Sequence, residues 1–211
     1  MVAGVLDATS ILRLGRVFVA MMTGNLVFIG LAAAGAKGFA VDTCALSLGG
    51  FTVGALIGGQ RCRAAGHRGC ALRNVMAVKL CLAGAVCLIV IVNGPYLGVG
   101  ARNVTVLLLA MSMGAQLAAI RYLKIPDLLT VVLTTTITGA LTERPSSWHD
   151  TKLLRRGLAV VAFVVGAVSG GLLILNVGLA AALLFGLGIL VAVAIASELL
   201  SHGSPNWSKP R

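Results

Sequence analysis

The sequence predicts an all-α protein: a polytopic bundle of transmembrane helices built from an internal duplication. Three observations carry that reading. Hydrophobic residues fill 58% of the 211 positions and charged residues only 11%, against about 25% in ordinary soluble domains. The apolar residues fall in long unbroken runs rich in Ala, Leu, Val and Gly, without the alternation of a barrel strand. A nine-residue pattern in the first half of the chain returns in the second. Too few polar side chains remain to cover a soluble surface, whereas lipid can face apolar ones directly. Backbone groups in lipid must find their partners within the protein, which selects helices.

Eight apolar segments follow one another: Val2–Leu12, Val17–Ala36, Thr43–Gly59, Val75–Val92, Val104–Ile120, Leu128–Leu141, Leu158–Leu175 and Val177–Ser197. Six to eight helical elements are expected from them, some broken or re-entrant. The first is too short to cross: as a helix it reaches about 17 Å, against a hydrocarbon core of about 30 Å. It has neither the basic start nor the cleavage site of a signal peptide. It reads as a half-helix, or as the remainder of a longer span whose natural start lies upstream of Met1. The sixth is also short, opens at Pro126-Asp127 and carries Thr130, Thr134, Thr135, Thr136 and Thr138. Asp127, just after a proline, suits a helix start, where a carboxylate caps free amides. From Ser201 to Arg211 the chain is polar and is expected to fray.

The duplication rests mainly on Phe-x-x-Gly-Ala-x-x-Gly-Gly, found at Phe51–Gly59 and again at Phe163–Gly171, an offset of 112 residues. Thr23-Gly24-Asn25 precedes Thr134-Thr135-Thr136 by 111, and Gly4 precedes Gly114 by 110. Residues 1–100 and 101–200 are accordingly read as two membrane repeats, followed by the polar tail 201–211. Basic residues follow the first copy of the pattern (Arg61, Arg63, Arg68, Arg73) but precede the second (Arg144, Lys152, Arg155, Arg156). Under the positive-inside rule the two copies then cross in opposite directions, as in an inverted repeat. That needs one non-crossing segment per half, the sixth and its partner the second. It leaves Arg13 and Arg16 on the outer side. Eight spans in two parallel halves is the competing topology.

Several blocks carry a resemblance. Gly4-Val5-Leu6-Asp7-Ala8, Leu14-Gly15-Arg16-Val17-Phe18 and Met22-Thr23-Gly24-Asn25, then Met113-Gly114-Ala115-Gln116 and Ile125-Pro126-Asp127-Leu128, resemble the signatures of the YoaK-like family of bacterial multi-pass membrane proteins. The likeness covers essentially the whole chain. It implies a polytopic membrane protein and supplies no activity. The chain has Leu117 and Thr134-Thr135-Thr136 where some members have Asn and Thr-Gly-Thr.

Candidate site residues are the polar groups inside apolar runs. Asp7 is an ionisable residue at membrane depth, a position usually reserved for a relay or a substrate contact. It can equally pair with Arg13 or Arg16 near a helix end. Thr23, Gly24 and Asn25 combine a hydroxyl, a flexible backbone and an amide, suited to an unwound ligand site or to close helix packing. Gln116, and Thr134, Thr135 and Thr136 in the matched segment, complete the set proposed to contact substrate. Gly50, Gly54, Gly58, Gly166 and Gly170 form small-xxx-small packing faces.

The net charge of +11 sits in loops, where lipid headgroups account for it. Aromatic residues are only 5%, too few for base stacking, so nucleic acid is not an expected partner. Cys62, His67 and Cys70 fall one ligand short of a zinc site. No cofactor or metal is expected, and no nucleophile elbow, Walker loop or His-Glu-x-x-His pair occurs. The expected function is a small-solute secondary transporter or permease of a bacterial-type inner membrane, not an enzyme. A non-transporting assembly or accessory protein is the alternative, and an intramembrane lipid enzyme a third. The expected partners are the bilayer and one unidentified small solute.

Overall fold

The computed structural model describes residues 1–65, 68–94, 96–123 and 151–203. Seven helices occupy them: α1 (Val2–Arg13), α2 (Met22–Ala33), α3 (Val41–Arg63), α4 (Arg68–Asn93), α5 (Val99–Tyr122), α6 (Thr151–Asn176) and α7 (Leu179–Gly203). Five of them contain an apolar stretch of 20 to 25 residues, long enough to cross a membrane. No strand occurs among the described residues. The chain is thus a polytopic helical bundle. The sixth apolar segment, with Asp127 and its threonines, lies outside the described residues.

α3, α4, α5 and α6 outrun their apolar segments at both ends. α3 ends with Arg61 and Arg63, α4 starts at Arg68, and α5 takes in Arg102 and Arg121. Hydropathy undercounts such helices, because arginines at a helix end keep their stems along apolar surface and carry their heads to the interface.

The second segment is shorter as a helix than its apolar run. It was long enough to cross as a helix, yet only Met22–Ala33 is helical, about 18 Å of rise. The preceding turn explains the loss. α1 stops at Leu14, and Gly15 (φ 99°) and Arg16 (φ 57°) then adopt left-handed conformations that no helix continues. Val17, Val19 and Ala20 are non-helical and almost fully buried. Irregular backbone is tolerated at membrane depth only where protein satisfies it, and here Asp7 and Asn25 do so.

Two tight crossings organise the bundle. On α3, Gly50, Gly54 and Gly58 press against Leu107, Met111 and Ala115 of α5. On α6, Gly166 and Gly170 press in the same way against Met1, just ahead of α1, and Val5 of α1. Added Cβ atoms would meet the Ala115 and Val5 Cα atoms at 2.7 Å and 2.9 Å, inside van der Waals contact. The partners answer in kind: Gly114 abuts the Phe51 carbonyl and Ala55 amide, and Gly4 abuts the Phe163 carbonyl and Ala167 amide. Phe51 and Phe163, like Ala55 and Ala167, hold the same places in the repeated pattern. Each pattern helix therefore packs on a helix of the other half, through small residues that let backbones touch.

These registers fix directions. Contact numbers rise together along α3 and α5, and along α1 and α6, so each pair is parallel. Short connections reverse the chain between α3, α4 and α5, and again between α6 and α7. Leu72–Lys79 of α4 and Ile189–Val193 of α7 line one cavity. Val86, Cys87 and Val90 share a core with Leu179 and Leu183. α4 and α7 thus run antiparallel, and α3 and α6 run in opposite senses. The parallel-halves topology does not match this arrangement. One end of the bundle, called here the basic end, carries Arg61, Arg63, Arg73 and Arg121. α1 ends, and α3 starts, at the opposite end, so α2 begins and finishes on one side without crossing.

Candidate functional site

Two separate polar clusters lie inside the bundle. The first is built by the turn between α1 and α2. The Asp7 carboxylate is 3% exposed, and its Oδ1 accepts from the backbone N–H groups of Val19 and Ala20, each at 2.9 Å. Its Oδ2 is buried and has no hydrogen-bond partner. Asn25, fully buried, accepts from Phe18 N–H through Oδ1 at 2.9 Å and donates from Nδ2 to the Phe18 carbonyl at 2.7 Å. Ser47 of α3 donates to the same carbonyl at 2.7 Å and lies 3.2 Å from the Asn25 amide nitrogen. A polar side chain that returns both backbone bonds of an irregular segment does the work helix bonding does elsewhere.

Gly24 belongs to this cluster for a spatial reason. A side chain there would meet the Phe18 ring, which stacks on Phe28 at 5.6 Å between centroids, and Phe28 in turn touches Phe39 at 5.0 Å. Thr23 faces outward and is exposed. The Arg102 guanidinium lies over Gly15 and caps the turn from the side of α5. Asp7 pairs with neither Arg13 nor Arg16; the turn backbone takes that place.

The second cluster sits near the basic end, where α1, α4, α5 and α7 leave a cavity of about 450 Å³. Its walls are apolar, among them Leu72, Val75, Met76, Ile120 and Leu190, and its polar side chains are Lys79 and Gln116. Lys79 is 5% exposed, and its ammonium donates to the Gln116 side-chain carbonyl across the α4–α5 contact. No carboxylate pairs with it among the described residues. Ten residues into a 25-residue span, it lies about 15 Å along the helix from Gly69.

The structure therefore divides the residues singled out in the sequence. Asp7, Gly24 and Asn25 gather around the turn, Gln116 belongs to the cavity, and Thr23 joins neither. Thr134, Thr135 and Thr136 lie outside the described residues. The sequence pattern does not single out Lys79 as a site residue. The signal is nonetheless in the sequence, since Lys79 is the one charged residue of the apolar run Val75–Val92 and intramembrane charge marks function by default. Among the described residues no group of three or more His, Cys, Asp or Glu could hold a metal. Cys62 is fully buried on α3.

Five apolar helices of membrane-crossing length that enclose buried polar groups define a multi-pass integral membrane protein. The chain belongs to the family described as protein of unknown function DUF1275, whose family model matches residues 1–196. It is 28% identical over 176 residues to the UPF0700 transmembrane protein YoaK of Bacillus subtilis (strain 168), a match covering 79% of this chain and 76% of that one. No solved structure matches it.

Proposed function

We propose that the protein is a small-solute permease of a bacterial-type inner membrane, a carrier and not an enzyme, with the Lys79–Gln116 cavity as its solute site. The observation that carries this reading is a buried ammonium, without a carboxylate partner among the described residues, on the wall of an apolar cavity. Charge at membrane depth is expensive and is kept where it meets a solute or an ion. The cavity volume falls within the roughly 300–1,000 Å³ of small-molecule sites.

The helix directions support the same reading. The two halves are read as inverted repeats, residues 1–100 and 101–200, with the basic end cytoplasmic. α4 and α5 wall the cavity on one side and α1 and α7 on another, so it lies where both halves meet, as transporter sites do. Asp7 and Asn25 then hold the re-entrant turn in place, and solute is bound elsewhere.

The test is flux in proteoliposomes across a panel of labelled small solutes. At least one solute is expected to move faster than in empty vesicles. Lys79→Met should abolish that flux while leaving the melting temperature at or above the parent value. Flux unchanged by the substitution would remove Lys79 from the pathway, and no flux for any solute would favour an accessory role.

A further inference from the structure

We infer that the Lys79 cavity takes a singly charged anion with an apolar body, a short- or medium-chain carboxylate being the simplest case. This deepens the permease reading and rests on its choice of cavity. Three features of the site point to that chemistry.

The first is charge. Lys79 is buried with only an amide carbonyl as partner among the described residues. A buried charge without an opposite charge is strongly unfavourable, so an anion entering the cavity supplies the countercharge that no described residue gives. The second is hydrogen-bond polarity. An ammonium has three N–H donors and no acceptor, and Lys79 gives one of them to the Gln116 oxygen. That contact requires the Gln116 amide to turn its oxygen to Lys79, which leaves its NH₂ as a donor. Lys79 and Gln116 thus both turn N–H donors to the cavity, matched to a carboxylate. The third is the wall. Leu72, Val75, Met76, Ile120, Ile189 and Leu190 offer no side-chain partner to a second polar group. A sugar or a dicarboxylate would bury hydroxyls or a second charge there unsatisfied. An acyl chain fits.

The anion can arrive from water as a free carboxylate or from the bilayer as an anionic lipid. Both present one anionic head on an acyl body, and the experiment separates them. Full-length protein in nanodiscs of neutral lipid is titrated with hexanoate, hexanol and hexylamine, and purified protein is surveyed by native mass spectrometry for retained anionic lipid. Hexanoate is expected to bind, with hexanol and hexylamine at least about tenfold weaker, as loss of one charge-assisted hydrogen bond implies. Lys79→Met should weaken hexanoate by a similar factor at unchanged or raised melting temperature. Should that variant fail to fold, Lys79→Gln is read in its place.

A retained anionic lipid that is lost in Lys79→Met, with no hexanoate binding, assigns the same site to the lipid source. Equal binding of hexylamine or hexanol, or hexanoate binding that ignores Lys79, overturns the anion assignment. So does absence of both hexanoate and lipid. Lys79-dependent flux of a solute that is not an anion would defeat this assignment and leave the permease reading standing. Lys79-dependent hexanoate binding without flux would do the reverse.

Discussion

Asn25 returns both backbone hydrogen bonds of Phe18, accepting from its N–H at 2.9 Å and donating to its carbonyl at 2.7 Å. The residues are seven apart, on opposite sides of the point where the chain re-enters helix at Met22. Asn25→Leu strands the Phe18 N–H, and Ser47 alone remains on the carbonyl. The expected loss is about 2–3 kcal/mol, the penalty of one unsatisfied buried group plus the lost bonds. Asp7→Asn is the contrasting change. It keeps an oxygen for Val19 and Ala20 and should stay within about 1 kcal/mol of the parent. Thermal unfolding in detergent measures both. An Asn25→Leu protein as stable as the parent would mean that the turn is not held this way.

The two glycine crossings make a quantitative claim about pseudo-symmetry. Gly4→Ala and Gly114→Ala each drive a methyl into a phenylalanine carbonyl, of Phe163 and Phe51 respectively. Each should destabilise by about 1–3 kcal/mol, the usual range for overpacking, and by similar amounts. Gly59→Ala and Gly171→Ala, at the last position of the repeated pattern, meet nothing within 4 Å. They should be neutral or stabilising by up to about 1 kcal/mol, through helix propensity alone. Marked destabilisation by either of these two would show that the pattern's last glycine has a role absent from this packing.

Topology can be read with single cysteines in a background where the five native ones are replaced. Arg13, Lys37 and Ala64 are all exposed. Arg13→Cys and Lys37→Cys should react with an impermeant maleimide on intact cells, because α2 does not cross between them. Ala64→Cys, at the basic end, should react only after lysis. Labelling of Arg13→Cys and Lys37→Cys from different sides would establish that α2 crosses. Reversal of all three would invert the assumed orientation.

Much of the architecture was legible before any coordinates. Composition and unbroken apolar runs are enough for a helical membrane protein, because lipid leaves the backbone few other ways to satisfy itself. The Phe-x-x-Gly-Ala-x-x-Gly-Gly repeat pointed to matched helices, because only small residues let two backbones touch. Asp7 and Asn25 were visible as polar groups at membrane depth, and a buried polar group must have a partner. Their partner was not visible. It is the backbone of residues 18–20, and backbone carries no sequence signature. The shortness of α2 was hidden for a related reason: hydropathy measures what a segment dissolves in and is blind to left-handed residues such as Gly15 and Arg16 that stop a helix. Tertiary structure alone decided that Lys79 of α4 meets Gln116 of α5. They stand 37 positions apart on different helices, and their meeting is set by how α4 and α5 pack, which no local pattern in either helix encodes.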